Sequence, residues 1–217
     1  MANPANPMSV EERDEIMQTV AKEVSVCKKC PLWEGRTHAV PGDGPTTAEI
    51  MFIGEGPGYN EDKQGLPFVG NSGHLLEEFL ALIGLDRSQV FIGNVVKCRP
   101  PGNRDPMPAE VETCTSNYLF RQIEAINPKV IVTLGRFSMA LFFPKGKISQ
   151  IHGQPKKEKG RYYLPLFHPA AILRNMSLKP QAEADFKKIP ELLAQLKNTP
   201  NNTAEEDPPK LSQLSLF

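Results

Sequence analysis

The sequence predicts an α/β fold of three layers, α/β/α, with a central four-stranded parallel sheet. Two observations carry that reading. Four short stretches, at residues 49–54, 90–96, 130–134 and 162–167, are apolar almost throughout, without polar alternation, as strands buried on both faces are. Helical periodicity fills the segments between them, and strands that alternate with helices form parallel sheets covered on both sides.

The elements follow in order. Ser9 with Glu12 three positions later forms a capping box that starts a helix running to about residue 24. It leads into Cys27-Lys28-Lys29-Cys30-Pro31. The first strand, 49–54, empties into GEGPGYNEDKQGLPFVGNSG, so dense in glycine and proline that a loop is expected over 54–70. A helix over about 72–84 ends at Gly84, and the second strand, 90–96, runs into the basic, proline-rich KCRPPGNRDP. One helix is expected from Pro108 to about Asn127, then the third strand, then a short helix from Gly135 to Phe143. The fourth strand runs straight into His168-Pro169, and a last helix covers roughly 178–197. This divides the chain into an N-terminal helical extension (1–24), a main domain (25–197) and a tail (198–217).

Length and composition bound the function. With 217 residues, 40% hydrophobic and 23% charged, the chain can bury one good core. Its formal net charge is zero, which excludes gross charge attraction as the means of holding nucleic acid or a membrane surface. Neither a run of ~18 apolar residues nor a basic-then-apolar leader is present, so a monomer in the cytoplasm, without a membrane partner, is expected. Four cysteines in such a setting read as metal ligands rather than disulfides. Cys27 and Cys30 form a C-x2-C pair, whereas Cys98 and Cys114 stand fifteen residues apart, unlike a zinc ribbon. Spacing alone leaves zinc and a [4Fe–4S] cluster equally open.

Ligands of parallel sheets sit beyond the carboxyl ends of the strands. Glu55, the stretch from Asn94 to Arg99, Gly135 and His168 all fall there. Gly54 and Gly56 allow close backbone approach around Glu55, but the pattern fails G-x-G-x-x-G and no Gly-Lys-Ser/Thr follows, which argues against a nucleotide-phosphate loop. Phe68, between a proline and a glycine before a helix start, is placed to stack on a planar ligand.

Taken together, these residues resemble the family 4 uracil-DNA glycosylases, the iron–sulfur branch of that superfamily. The resemblance runs from about Cys27 to Leu193 and rests on the C-x2-C pair, GEGPG…EDKQGLPFVG, NVVKCRPPGNRDP followed by Cys114, and HPAAILRN. It implies excision of uracil from DNA, with a [4Fe–4S] cluster on Cys27, Cys30, Cys98 and Cys114. His168 is expected to donate to the charge developing on uracil O2, and Glu55 to position the attacking water. Asn94 is expected to pair with uracil N3–H and O4, which cytosine presents in reverse. Phe68 would stack on the flipped ring, Gly54 and Gly56 would supply backbone at the pocket, and Glu61 would crowd the C5 position. Lys97, Arg99, Arg104, Arg174 and Asn175 are expected at phosphates, with Ile172 or Leu173 filling the gap left by the flipped base. Tyr59-Asn60 stands where many members are acidic, and Ala170-Ala171 also departs from the pattern. A covalently linking relative carries a histidine in a basic loop; none lies between Lys97 and Cys114, so ordinary turnover is expected. The competing reading is a non-catalytic, metal-stabilised DNA-binding module.

The tail carries a separate signal. Polar from Asn198 to Leu211, it is expected to be a flexible tether, yet its last residues are Gln213, Leu214, Ser215, Leu216 and Phe217. The pentapeptide resembles the bacterial sliding-clamp-binding motif.

Overall fold

The computed structural model of the protein describes residues 8–198; the clamp-like pentapeptide with Gln213, Leu214, Leu216 and Phe217 lies outside the described residues. In chain order the elements are α1 (Val10–Ser25), β1 (Ile50–Gly54), α2 (Tyr59–Gln64), α3 (Asn71–Leu82), β2 (Phe91–Asn94), α4 (Pro108–Cys114), α5 (Phe120–Ile126) and β3 (Val130–Leu134). These are followed by α6 (Arg136–Ala140), α7 (Ile148–Ile151), β4 (Lys156–Glu158), β5 (Arg161–Leu166), α8 (Pro169–Arg174), α9 (Lys179–Phe186) and α10 (Lys188–Asn198).

The strand order is β2-β1-β3-β5-β4, and β2, β1, β3 and β5 run parallel. The four expected strands are therefore present. A fifth, β4, pairs antiparallel along the outer edge of β5, Lys156 opposite Tyr163. Its three residues, Lys-Lys-Glu, carry no apolar signal, and charge of this kind is how proteins blunt a sheet edge. Among the described residues the outer side of β5 has no strand neighbour beyond Tyr163, so Pro165, which lacks an N–H, costs no ladder bond there.

Alternate side chains divide between two apolar layers. Ile50 and Phe52 of β1, with Val130, Val132 and Leu134 of β3, pack with α3, α8, α9 and α10. Phe52 stacks on Phe186 with centroids 6.0 Å apart, and Phe186 on Phe79 at 4.6 Å, tying β1, α9 and α3 together. Met51, Ile53 and Ile131 face the other way, toward α1, α4 and α5. Ser9 and Glu12 do form the capping box of α1. Placed outside the main domain by the sequence, that helix buries Val20 and Val24 completely within this second layer.

Three other segments differ from expectation. The glycine-rich loop contains α2, a six-residue helix bounded by Gly58 and a left-handed Gly65. The helix expected over 108–127 is interrupted by a π-helical turn at Thr115–Leu119, immediately after Cys114. There Thr115, Ser116 and Asn117 bond back to carbonyls three or four residues earlier, satisfying groups that wide turn leaves loose. The last helix is likewise two, α9 and α10. No helix among the described residues is long and apolar enough to cross a membrane.

Candidate active site

The sheet order reverses at β1: the chain leaves it outward to β2 and returns on its other side with β3 and β5. Such a switch opens a crevice at the carboxyl ends of the strands. A cavity of about 410 Å³ lies there, lined by Glu55, Phe68, Asn94 and His168 among others. It adjoins a second one, of about 300 Å³, through shared walls at Glu55, Gly56, His168, Ala170 and Arg174. The volume suits one nucleobase with its sugar, within the usual range for small-ligand sites.

Asn94 is the last residue of β2 and is 1% exposed. Among the described residues its buried side-chain Nδ2 has no hydrogen-bond partner, an arrangement that costs about 1–3 kcal/mol unless a ligand supplies the acceptor. Beside it, Gly54 must stay a glycine: a Cβ there would lie 2.4 Å from Asn94 Oδ1 and 2.7 Å from the Phe68 ring. The two groups meet across bare backbone.

Phe68 holds a left-handed backbone conformation, φ 52°, rare for a residue with a side chain. Its surroundings enforce it. Arg87 donates from Nη1 to Phe68 O at 2.9 Å and from Nη2 to Pro67 O, while the bare Cα of Gly73 lets α3 press against the Phe68 carbonyl, which a Cβ would approach to 1.9 Å. The ring thereby lies 5.6 Å from the His168 ring at an interplanar angle of 27°.

His168 is the N-cap of α8, and its Nδ1 accepts the Ala170 N–H at 3.1 Å. An acceptor Nδ1 means the neutral ring carries its proton on Nε2. Burial first, and then the Arg174 guanidinium, lower its pKa to about 4. The imidazole is thus a neutral Nε2–H donor across the physiological range. Glu55 moves the opposite way: burial, then Asp105, raises its carboxyl above the usual range, opposed by Arg136 and Arg174.

Glu61 does more for the loop than for the pocket floor. Its Oε2 accepts from Gly58 N at 3.1 Å and its Oε1 from Val69 and Gly70 N at 3.0 Å each. It still lies on the cavity wall, but its oxygens are engaged with the backbone.

The residues expected at DNA separate into two groups. Arg174 lines both cavities, Arg99 lies over the Tyr59 ring at 5.2 Å, and Arg104 stands at the rim, where Glu110 holds it by two hydrogen bonds of 2.7 and 2.9 Å. Asn175 Oδ1 accepts from Ser177 N and caps the following turn. Two expectations are corrected. Lys97 reaches no phosphate: it is 1% exposed and donates to the Asn94 carbonyl at 2.9 Å, because the turn after β2 sends its side chain inward, and burial lowers its pKa to about 8. Ile172 is fully buried in the first apolar layer and fills no gap in DNA; its neighbour Leu173, 42% exposed, is the one available, with Met176 at 54% beside it.

Cys27, Cys30, Cys98 and Cys114, none in a disulfide, line one enclosed pocket together with Val24, Leu32 and Tyr118. Arg36 Nη1 donates to Cys98 Sγ at 3.2 Å, Lys97 N to Cys114 Sγ at 3.3 Å and Lys29 N to Cys27 Sγ at 3.5 Å. Such N–H donors suit sulfurs that carry charge when they bind metal. Without a cation the pocket's burial pushes the Cys114 thiol up to about 12 and raises Cys30 and Cys98 as well. Among the described residues no group of three or more His, Cys, Asp or Glu side chains is placed to hold a single metal ion. Arg36 and Tyr118 were not legible as parts of this pocket, since nothing in the cysteine spacing names them.

A family model described as the uracil DNA glycosylase superfamily matches residues 41–194. The chain is 52% identical over 186 residues to a type-4 uracil-DNA glycosylase of Sulfurisphaera tokodaii, a match covering 81% of this chain and 84% of that protein. It is 47% identical over 190 residues to a type-4 uracil-DNA glycosylase of Archaeoglobus fulgidus, covering 82% and 94%, and 46% identical over 168 residues to one of Thermotoga maritima, covering 76% and 87%. A type-5 uracil-DNA glycosylase of Pyrobaculum aerophilum is more distant, at 31% over 167 residues. Matches of this extent across nearly the whole described chain, over a sheet whose carboxyl edge gathers the motif residues, place it: the chain belongs to the uracil DNA glycosylase superfamily, in its type-4 branch.

Proposed function

We infer that the protein hydrolyses the N-glycosidic bond of deoxyuridine in DNA, releasing uracil and leaving an abasic site, the opening step of base excision repair. The observation that carries this is the buried, unpartnered Asn94 amide in a base-sized cleft beside Phe68 and His168. Its Nδ2 matches uracil O4, and its carbonyl matches N3–H; cytosine offers a donor and an acceptor at those places, the reverse pair. A flipped uracil stacks on Phe68, and as the glycosidic bond breaks, the electron pair moves into the base. His168 Nε2–H stabilises the charge on O2, and the Glu55 carboxylate orients water toward the sugar cation. Incubation with a uracil-containing single strand should release free uracil and leave a backbone that breaks only on added alkali. No alkali-labile product would leave the DNA-binding module as the reading, and borohydride trapping of a protein–DNA adduct would exclude simple hydrolysis.

For the cysteine pocket the reading is a [4Fe–4S] cluster over zinc, supported by four thiols on one pocket, N–H donors on three of their sulfurs and a cysteine spacing unlike a zinc ribbon. Cys27, Cys30, Cys98 and Cys114 would hold it, and it would cross-link the segment after α1, the turn after β2 and the end of α4. Anaerobically purified protein should be brown, with broad absorbance near ~400 nm. A colourless preparation with one zinc per chain would overturn this.

For the tail, the reading is a tether to the bacterial sliding clamp through Gln213, Leu214, Leu216 and Phe217, supported by the polar spacer before them. Deleting residues 213–217 should abolish clamp binding in a calorimetric titration and leave cleavage of a short oligonucleotide unchanged. Equal clamp affinity of full-length and truncated protein would refute the tether.

A further inference from the structure

Tyr59 is a large ring left 56% exposed on the wall of the cavity that also holds Asn94 and His168. Its backbone is fixed at the start of α2 by the Glu61 carboxylate on Gly58 N–H. Two cations attend the ring: the Arg99 guanidinium at 5.2 Å from its centroid and Lys63 Nζ at 5.8 Å. Arg99 is steadied by Asn103, whose Oδ1 accepts from Arg99 Nε at 2.8 Å and which lines the same cavity. Among the described residues neither Arg99 nor Lys63 has a carboxylate partner. An accessible aromatic ring with two cations that no carboxylate neutralises, at the rim of a base-sized pocket, is the recognition set for a further nucleotide: the ring for its base, the cations for its phosphate.

We propose that Tyr59 is a stacking platform for the nucleobase next to the flipped uracil, with Arg99 and Lys63 at the flanking phosphates. This rests on the uracil-excising reading above and adds to it a basis for substrate choice. A neighbouring base in a duplex is already paired and stacked, and leaving that stack is costly; in a single strand it is free to move onto the ring. The platform therefore favours single-stranded DNA.

The test uses the full chain with Tyr59→Ala and Tyr59→Phe. On a uracil-containing single strand the alanine variant should raise KM about tenfold, the size of one base–aromatic stack, with kcat changed less than twofold, while the phenylalanine variant matches wild type. On a duplex the alanine effect should be under threefold. Replacing the base on one particular side of the uracil by an abasic analogue should erase the difference between wild type and Tyr59→Ala. An alanine variant equal to wild type on the single strand overturns the proposal. So does a defect that persists undiminished when the base on either side is removed, because the ring would then act only through its loop. Fluorescence anisotropy with a uracil-free single strand reads the platform separately: weaker binding by Tyr59→Ala supports it even where wild type excises nothing, a result that would sink the excision reading alone.

Discussion

Replacing His168 by alanine is expected to lower kcat by about 10²- to 10³-fold, with KM within a few-fold of wild type. The donor meets a neutral carbonyl in the ground state and an anion only as the bond breaks, so its loss is felt in the transition state. Steady-state excision on a short uracil-containing strand measures this, and a variant at near wild-type rate would remove His168 from the mechanism. The pH profile separates this donor from an ordinary titrating histidine. Since the folded ring loses its proton only near pH 4, no inflection is expected at 6.5. The acid limb belongs first to Glu55, whose carboxylate form is lost as pH falls through a pKa lying above the usual value. Stability carries a second sign. His168 binds its proton near 6.5 when unfolded and near 4 when folded, so between those values the unfolded chain holds more protons and stability declines as pH falls. Protonation of Nδ1 in the folded protein, which comes only near pH 4, also removes the acceptor for Ala170 N–H, so α8 loses its cap at the acid end of that window.

Asn94→Asp should be comparably severe for uracil, with a loss of about 10²- to 10³-fold in kcat/KM. The substitution keeps the shape of the side chain but replaces the Nδ2 donor by an acceptor that faces uracil O4 at a buried position, where an unmet or opposed polar group is expensive. The same carboxylate accepts from the cytosine amino group, so the ratio of uracil to cytosine excision should fall by more than the uracil rate alone. Rates on matched strands carrying one uracil or one cytosine decide the matter. Uracil excision within fivefold of wild type would show that Asn94 does not read the base.

The strands and the motif residues at their ends were legible because burial on both faces leaves continuous apolar runs, and because parallel order delivers every strand end to one side. Direction of side chains off those ends was not. Lys97 follows Val95 and Val96 in a turn, and no periodicity tells whether such a lysine points to solvent or back under Asn94. Ile172 and Leu173 are adjacent on a six-residue helix, so one faces the core and the other the solvent, and the sequence alone does not choose. The helix α2 was hidden by its own boundaries: Gly58 and Gly65, which start and stop it, read as loop residues. The strand β4 is three charged residues whose only reason to be extended is the edge of β5. Arg36 and Arg87 act from distant sequence positions by reaching a thiol and two carbonyls, contacts that only the folded chain brings about.

The clasp made by Glu61 has an evolutionary meaning. One carboxylate gathers three backbone N–H groups at Gly58, Val69 and Gly70, closing the segment between them into a loop whose two ends are held together independently of the side chains at residues 59 and 60. Backbone donors are present whatever the residue, so Glu61 is the fixed point and Tyr59 is free to change. A lineage can therefore exchange the residue at position 59, and with it the DNA that the enzyme prefers to approach, by single mutations that leave Asn94, Phe68 and His168 where they stand. Substrate taste in this fold can drift while the chemistry stays put.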